Sequence, residues 1–336
     1  MRLVRNLFIV LLFVNVVLPI NIIRAQSPIY SNAAQGLEIS PTRVELNAAK
    51  GESYIIDYKL TNVTASDLTY YNSVQDFSAL DETGTPKLTL DSNSSDNISI
   101  QSWVSGLPQS VIVKAQTTLS VNLTINVPDD AEPGGHYGAI VFSGLAPELD
   151  SSGVGMNASA GLLLLIRVDG AINEQAILKE FFTAVDRSQN DFFENGPIKF
   201  VTRIENKGNV HVKPSGNIEI KDIFGSLVAS LDVNKDMSNV LPNSVRRFES
   251  NWDTYWLFGY YTANLTLGYG TQGQAIISST NFWVIPYKLI ISVLAIIILL
   301  SLMLRRLIRV YNKRIIEKAK KYEDQNKKHQ FKNKEE

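Results

Sequence analysis

The nine residues Leu119–Val127, LSVNLTINV, alternate strictly between apolar and polar side chains. This period of two is typical of a strand that buries one face and exposes the other to water. Pro128-Asp129-Asp130 follows at once and is a turn sequence, because proline and aspartate favour turns over strands. The stretch therefore predicts one strand of an antiparallel sheet, with its partners in the neighbouring sequence.

Further strands are predicted on both sides of this one. Tyr54–Leu60 alternates in the same way, Val111–Val113 is a short partner, and Tyr137–Phe142 follows a Pro-Gly-Gly turn. Gly161–Val168, GLLLLIRV, is apolar at nearly every position, which is typical of a strand buried on both faces. About six to eight short strands with turns between them predict an immunoglobulin-like β-sandwich over 37–170.

A second set of strands follows a connection at 171–194, in which Ala176–Val185 is expected to be extended. Ile198–Glu205 alternates between apolar and polar residues, and Tyr261–Tyr269 does so again near the end of the set. The spacing predicts a second immunoglobulin-like sandwich over 195–283. The predicted fold class is therefore all-β, with two tandem sandwiches and one C-terminal transmembrane helix.

The first 25 residues have the pattern of a secretory signal peptide. Arg2 and Arg5 precede the apolar run Leu7–Ile20, and the small residue Ala25 offers a cleavage site. An uncleaved anchor is the alternative, and it would leave the predicted sandwiches on the same side of the membrane.

The C-terminal apolar segment is predicted to span the membrane over 284–304. Leu289–Leu304 has no charge, and the longer stretch from Phe282 measures roughly 34 Å as a helix, enough to cross the hydrocarbon core. Arg305 and Arg306 follow at once, so the positive-inside rule places the basic tail 305–336 in the cytoplasm. The prediction is a single-pass type I membrane protein with extracellular N-terminal domains.

The tail permits two interpretations. Its apolar residues fall at helical spacing, which favours a basic amphipathic helix on anionic lipid. These residues are Ile308, Tyr311, Ile315, Ala319 and Tyr322. The simpler interpretation, which we favour, is a stop-transfer block with a disordered end.

Composition excludes several classes of function. The 336 residues are 45% hydrophobic and 19% charged, which excludes disorder for most of the chain. The sequence has no cysteine, so it has no disulfide, thiolate metal site or cysteine nucleophile. Residues 26–304 hold 17 basic and 28 acidic side chains, and this acidity argues against nucleic acid as a partner.

Few residues are candidates for chemistry. Asp129, Asp130, Glu132 and His136 lie close together, but turn formation explains them more simply than a metal site does. His136 and His211 would need a nucleophile and an orienting group to act as general bases. The pair Asp81-Glu82 could suggest a glycosidase, although no substrate cleft is indicated. We therefore predict no catalytic, cofactor-binding or metal-ligating residue, and no cofactor.

Two other groups of residues carry weaker signals. Six Asn-x-Ser/Thr sites would be glycosylated on a eukaryotic secretory route, but we favour chance for Asn62, Asn93, Asn97, Asn122, Asn157 and Asn264. Aromatic side chains are the best candidates for ligand contact, with core packing as the alternative. They are Tyr70, Tyr71, Trp103, Trp252, Tyr255 and Trp256.

The order of several short phrases resembles the WxL-interacting surface proteins of Gram-positive and related bacteria. The phrases are Gly36-Leu37-Glu38-Ile39-Ser40-Pro41, Lys50-Gly51-Glu52-Ser53, Leu60-Thr61-Asn62-Val63-Thr64, Gln75-Asp76-Phe77 and Val127-Pro128-Asp129-Asp130-Ala131-Glu132-Pro133-Gly134-Gly135-His136-Tyr137-Gly138-Ala139. The resemblance implies a peptidoglycan-binding first sandwich, a partner-binding second sandwich, one membrane helix and a basic tail. It assigns no ligand residue to a position in this chain.

The favoured hypothesis is a non-enzymatic, membrane-anchored binding or scaffold protein at the cell surface. Its partner would be cell-wall glycan, a surface protein or both, held by a sheet face or edge. The first alternative is an ectodomain that assembles other surface proteins by offering a strand edge, as pilus chaperones do. The second alternative is a cell-wall glycan hydrolase.

Overall fold

The computed structural model describes residues 36–89, 97–144, 159–186 and 188–332. The predicted signal peptide at 1–25 lies outside these residues. The described chain forms four β-sheets followed by one long C-terminal helix. This confirms the mainly-β class with a C-terminal helix.

The first two sheets form the first sheet pair. Its elements are β1 Leu37–Ser40, β2 Arg43–Ala48, β3 Ser53–Asn62, β4 Leu68–Ala79, β5 Pro86–Thr89, the one-turn helix α1 Ile100–Trp103, β6 Val104–Ser105, β7 Ser110–Val113, β8 Thr118–Asn126, β9 Gly134–Gly144 and β10 Ser159–Val168. One sheet has the order β1-β3-β8-β6, and the other has the order β2-β10-β9-β4-β5, with β7 also on β4.

The alternating stretch Leu119–Val127 forms most of β8. It lies antiparallel to β3, and its inward residues Leu123 and Ile125 are buried in the core between the two sheets. Leu119, at the start of the strand, is partly exposed. The apolar run in β10 also has the predicted burial on both faces, since Leu164 belongs to this core and Leu165 belongs to a second cluster on the outer face.

The other two sheets form the second sheet pair. Its strands are β11 Ala176–Val185, β12 Ser188–Gln189, β13 Phe192–Phe193, β14 Ile198–Asn206, β15 Ser215–Asp222, β16 Leu227–Val233, β17 Val245–Trp252, β18 Gly259–Tyr269 and β19 Gln274–Val284. The sheet orders are β12-β11-β14-β17 and β13-β19-β18-β15-β16. Phe200 and Phe282, one from each sheet, meet in the core with ring centroids 5.6 Å apart.

The structure differs from the expected connection at 171–194. Ala176–Val185 is extended, as predicted, but it is not a linker, because it pairs antiparallel with β14 inside the second sheet pair. Ala176 and the partly buried Leu178 and Phe181 pack against the second core. The loss of these apolar side chains from water explains why the strand joins the sheet.

The C-terminal helix α2 runs from Tyr287 to Lys332. Its first part is long and apolar enough to cross a membrane, and it is the one such helix in the part of the chain that the structure describes. The helix continues without a break into the basic tail, so the favoured disordered end does not hold as far as Lys332. Only Ile285 and Pro286 separate β19 from α2.

Candidate functional site at the junction of the sheet pairs

The two sheet pairs meet through an apolar cluster on the outer face of the sheet that contains β9 and β10. Phe77, Ala139 and Leu165 are buried there, and the half-buried Leu241 reaches them from the second sheet pair. The rings of Phe77 and Tyr137 lie 6.0 Å apart within this cluster. Burial of these side chains favours one fixed arrangement of the two sheet pairs.

Hydrogen bonds to backbone groups join the sheet pairs and the segment between them around the apolar cluster. The Gly135 N–H donates to the Asn209 carbonyl at 2.8 Å, and the Asn209 side chain donates to the Ala171 carbonyl at 2.8 Å. On the far side of the cluster, the Arg247 N–H donates to the Glu82 carbonyl at 2.8 Å. These bonds fix the relative orientation of the sheet pairs, because each needs a specific alignment of donor and acceptor.

An ion pair strengthens the same contact. The Arg203 guanidinium donates two hydrogen bonds to the Glu82 carboxylate, from Nε at 2.8 Å and from Nη2, and it also contacts Glu180. Its hydrogen bonds to Glu82 and Glu180 raise the pKa of Arg203. Two hydrogen bonds from one guanidinium to one carboxylate fix the relative orientation of the two groups and also stabilise their contact.

The edge strand β2 borders an open cleft beside this junction. Thr42 and Ala48 direct their carbonyl oxygens at β10, accepting from Leu163 and Asp169. Since successive residues of a strand direct their backbone groups to opposite sides, Glu45 and Asn47 present theirs away from β10. Within the described residues, β2 ends its sheet and no strand pairs with that outer side.

The cleft itself has a volume of about 600 Å³. The β2 edge lines one wall, and the opposite wall comes from the second sheet pair. Residues of the second sheet pair in this wall include His211, Lys213, Met237, Tyr269 and Thr271. Glu45 is exposed as a whole residue although its side chain is only 27% exposed, so the main chain of β2 faces solvent here.

Charged groups at the cleft are paired across the two walls. Glu45 accepts hydrogen bonds from Lys213 and from Asn239, the latter at 3.0 Å, and Arg43 lies 3.2 Å away. Burial would raise the pKa of Glu45, but the hydrogen bonds from Lys213 and Asn239 outweigh it and lower the pKa. Glu45 therefore stays ionised and holds the β2 wall against the second sheet pair.

A second carboxylate fixes the other end of the cleft. Glu174 accepts from Arg167 at 2.6 Å and from the backbone and hydroxyl of Thr271 at 2.7 and 2.8 Å. Burial opposes ionisation, but the bonds from Thr271 and Arg167 lower the pKa of Glu174 overall. Glu174 and Glu45 therefore keep the cleft polar and hold its two walls in place.

His211 lies beneath the cleft, against the first sheet pair. Its Nδ1 is 3.3 Å from the Tyr137 hydroxyl, and the two rings are arranged edge to face with centroids 5.7 Å apart. Burial lowers the pKa of His211 to about 4. The nearby charges of Lys213 and Arg167 act in the same direction, because they also disfavour the protonated form. Burial likewise raises the pKa of the Tyr137 hydroxyl.

We expect the junction to lose stability between neutral and mildly acidic pH. The unfolded chain protonates His211 near pH 6.5, whereas the folded chain does so only near pH 4, so acid favours unfolding in this window. The expected loss is about 2 kcal/mol between pH 7.5 and pH 5. Urea unfolding of the full chain in detergent micelles would measure it. His211→Gln should remove this part of the pH dependence, and an unchanged slope would contradict the assignment.

The candidate acid–base and metal residues have structural roles. His136 is buried, and each ring nitrogen lies 2.8 Å from a backbone carbonyl, of Ile98 and of Glu132. No group of three or more metal-ligating side chains forms in the described ranges, so Asp129, Asp130, Glu132 and His136 do not converge on an ion.

The structure separates the remaining candidates for acid–base chemistry. His136 contacts the Trp103 ring, whereas His211 contacts Tyr137 at the junction. Asp81 accepts hydrogen bonds from Thr83 in a turn, while Glu82 accepts hydrogen bonds from Arg203. Asp81 and Glu82 are therefore engaged in separate contacts, one in a turn and one at the junction.

The aromatic candidates divide between core and surface. Trp103, Trp252 and Tyr70 are buried in the cores, so core packing is the correct interpretation for these three. Tyr71, Tyr255 and Trp256 are exposed. Trp256 lies with Tyr255 at the end of the second sheet pair that is next to α2.

The Asn-x-Ser/Thr positions also differ. Asn62 is fully buried and uses its amide to hold the Ser66 and Val113 carbonyls at 2.8 and 2.9 Å, which leaves no room for a glycan. Asn122 is exposed, and Asn97 and Asn264 are partly exposed. Asn93 and Asn157 lie outside the described residues.

Sequence reasoning did not identify the residues that form the cleft. Glu45, Lys213 and Asn239 come from distant parts of the chain, and no local spacing connects them. The one available signal was the near-continuous apolar character of β10, which indicated that its outer face must be covered.

Comparison with known proteins gives only remote similarities. No protein-family model matches the chain, and no curated protein matches it. Three similar solved structures are a chaperone–tip adhesin complex of CFA/I fimbriae biogenesis, the class 5 fimbriae chaperone CfaA, and the SafA pilin in complex with the SafB chaperone from Salmonella enterica. Their sequence identities are 14%, 14% and 11%, and their TM-scores are 0.38, 0.37 and 0.35. The matches cover 73%, 73% and 74% of this chain and 98%, 99% and 96% of the other chains. At TM-scores this low, the likeness carries no argument about function.

Proposed function

We propose that the chain is a non-enzymatic, membrane-anchored ectodomain that binds an extended segment of a surface protein by strand addition. The two sheet pairs would be tandem immunoglobulin-like sandwiches, and α2 would anchor them with the tail on the cytoplasmic side. The observation that carries the proposal is the outer side of β2, whose backbone groups at Glu45 and Asn47 lack a strand partner within the described residues.

The geometry of the cleft suits an extended peptide. A strand laid along β2 would gain main-chain hydrogen bonds, while its side chains would alternate between the cleft walls. The walls carry both signs of charge at Glu45, Lys213 and Arg167, which favours a polar segment over an apolar one. The fixed junction means that little ordering energy would be lost on binding, because the two walls are already in place.

A glycan partner or glycan hydrolysis would give results that differ from those of strand addition. Cell-wall glycan, the partner that the resemblance implies for the first sandwich, would be bound through polar and aromatic side chains without need of the β2 backbone. The resemblance to the WxL-interacting proteins stays a prediction. A glycan hydrolase would release muropeptides from purified peptidoglycan.

The test uses a proline at the free edge. Asn47→Pro removes one outward N–H while leaving the ladder between β2 and β10 intact, because the Asn47 backbone is directed away from β10. Asn47→Ala is the matched control and keeps that N–H. A photo-reactive residue in place of the exposed Met237 would report what occupies the cleft in intact cells.

We expect the photo-reactive residue at position 237 to cross-link to one extended segment of a surface protein, both in the otherwise unchanged chain and in the Asn47→Ala background. With Asn47→Pro, this cross-link should be lost. Cross-linking that survives Asn47→Pro would show that the β2 edge is not the binding site. Retention by purified peptidoglycan, unaffected by both substitutions, would favour glycan as the partner instead.

A further inference from the structure

Exposed large apolar side chains collect at the end of the second sheet pair from which α2 departs. In register, Gly259 of β18 lies opposite Val284 of β19, and Asp222 of β15 lies opposite Tyr261 of β18. The loop before Gly259 and the hairpin after Asp222 therefore lie at the same end as the start of the helix. We call this the helix-proximal end.

The side chains at this end are unusually apolar for a surface. Phe224 is 88% exposed, and Trp256 and Phe258 are each 70% exposed. The exposed apolar side chains of the helix-proximal end are Phe192, Ile223, Phe224, Tyr255, Trp256, Phe258 and Trp283. Toward the opposite end of the same sheet pair, the exposed large apolar residues among those that the structure describes are Ile177, Met237 and Ile277, and none of them is aromatic.

The aromatic loop is held in place. The Gly196 N–H donates to the Tyr255 carbonyl at 3.1 Å, and a Cβ at Gly196 would lie 1.9 Å from the Thr254 carbonyl oxygen. The rings of Tyr255 and Trp256 meet edge to face at 5.1 Å. Because the backbone is fixed this closely, the aromatic side chains stay directed away from the core.

The start of the helix is tied to the same end. The Ile285 N–H donates to the Phe193 carbonyl at 2.8 Å, and Lys288 pairs with Glu194 at 2.6 Å. With two residues between β19 and α2, the first turn of the helix lies directly beside the exposed aromatic side chains. A membrane entered by α2 at this turn must therefore be in contact with the helix-proximal end.

We propose that the helix-proximal end inserts its exposed aromatic side chains into the interfacial layer of the bilayer that α2 crosses. This inference rests on the membrane anchoring in the proposed function. Aromatic rings favour that layer because they are apolar with a polar edge. The insertion would hold the second sheet pair upright on the membrane, with the cleft at its far end directed away from the lipid.

Charge indicates which lipid surface suits this end. Its ionisable side chains include the acidic Asp191, Glu194, Asp222 and Asp253. The lysines near this end are each paired with a carboxylate: Lys288 with Glu194, Lys199 with Glu249, and Lys221 with Glu219. Anionic headgroups would be repelled by such a surface, so the insertion depends on apolar contact with a zwitterionic lipid and is insensitive to salt.

The cysteine-free chain permits a direct test. Phe224→Cys and Trp256→Cys, each labelled with an environment-sensitive fluorophore, would be reconstituted as the full chain in phosphatidylcholine nanodiscs. Met237→Cys is the matched control at the opposite end. Lipids with a spin label near the headgroup should quench most of the fluorescence at positions 224 and 256 and none at position 237, at low and high salt alike.

Several outcomes would overturn the inference. Equal quenching at all three positions would do so, as would quenching that appears only with anionic lipid and disappears in salt. A spectral shift that depends on protein concentration rather than on lipid would assign the surface to a second copy of the chain. Failure of the chain to enter nanodiscs would instead refute the membrane anchoring, and so the two results are distinguishable.

Discussion

Replacement of Trp103 by alanine is expected to destabilise the first sheet pair by about 3–5 kcal/mol. Trp103 ends α1, is 1% exposed, and packs in the first core with its ring centroid 4.5 Å from that of His136. The substitution would leave a cavity that the surrounding strands cannot fill without moving. Urea unfolding of the full chain in detergent micelles, followed by circular dichroism, would measure the loss.

The control is Trp103→Phe, which keeps a large ring and should cost roughly half as much. A surface tryptophan that contacts ligand would behave differently, since its replacement by alanine would change stability by at most about 0.5 kcal/mol. A loss that small would therefore contradict the buried position.

Asn206→Ala should have the second largest effect, with an expected loss of about 2–4 kcal/mol. Asn206 is fully buried at the end of β14, where its amide donates to the Val210 and Val240 carbonyls at 2.8 Å. Its oxygen accepts from the Gly208 N–H at 2.9 Å. Alanine would remove the partners of the buried Val210 carbonyl and Gly208 N–H and would leave the Val240 carbonyl only its bond from the Val212 N–H, which costs more than the lost bonds contribute. The same unfolding measurement applies.

Two further variants sharpen this prediction. Asn206→Asp keeps the acceptor for Gly208 but removes both donated bonds and adds a buried charge, so we expect it to be at least as destabilising as alanine. Asn62→Ala is the matched change in the first sheet pair, where Asn62 makes equivalent bonds at the end of β3. If neither alanine variant lowered the unfolding midpoint, the turns would not depend on these amides.

The individual strands could be predicted from the sequence because their signal is local. The alternation in β8 and the burial of β10 on both faces follow from residues that are adjacent in the chain. Ala176–Val185 was predicted to be extended but assigned to a connection. Its polar residues Lys179 and Glu180 obscured the alternation, and a register shift between Leu178 and Glu180 breaks it.

Several residues in the short phrases that carry the family resemblance lie at the junction or position α1. Asp76 accepts hydrogen bonds from Ser99 and Ile100 and so positions α1, while Phe77 enters the apolar cluster of the junction. Gly135 and Tyr137 contact the second sheet pair directly. From sequence alone, the order of these phrases carried the resemblance, but it did not indicate that some of their residues join the two sheet pairs.

The cleft was beyond sequence reasoning because it depends on how the sheet pairs are arranged. Glu45 has Lys213 and Asn239 as partners, more than 160 residues further along the chain. Local patterns say which face of a strand is apolar, but they do not say which edge lacks a neighbour. For the same reason, the sequence left the choice between a core and a surface position open for each aromatic residue.

The parallel pairing of β2 with β10 has a consequence for folding during synthesis. Arg43 lies beside Leu163, so the partners are 120 residues apart in sequence. During synthesis from the N-terminus, the sheet cannot be completed until β10 has emerged from the ribosome, and contacts of such long range form slowly. The early strands must therefore wait with their apolar faces uncovered, and the period most open to aggregation and proteolysis falls before β10 has emerged.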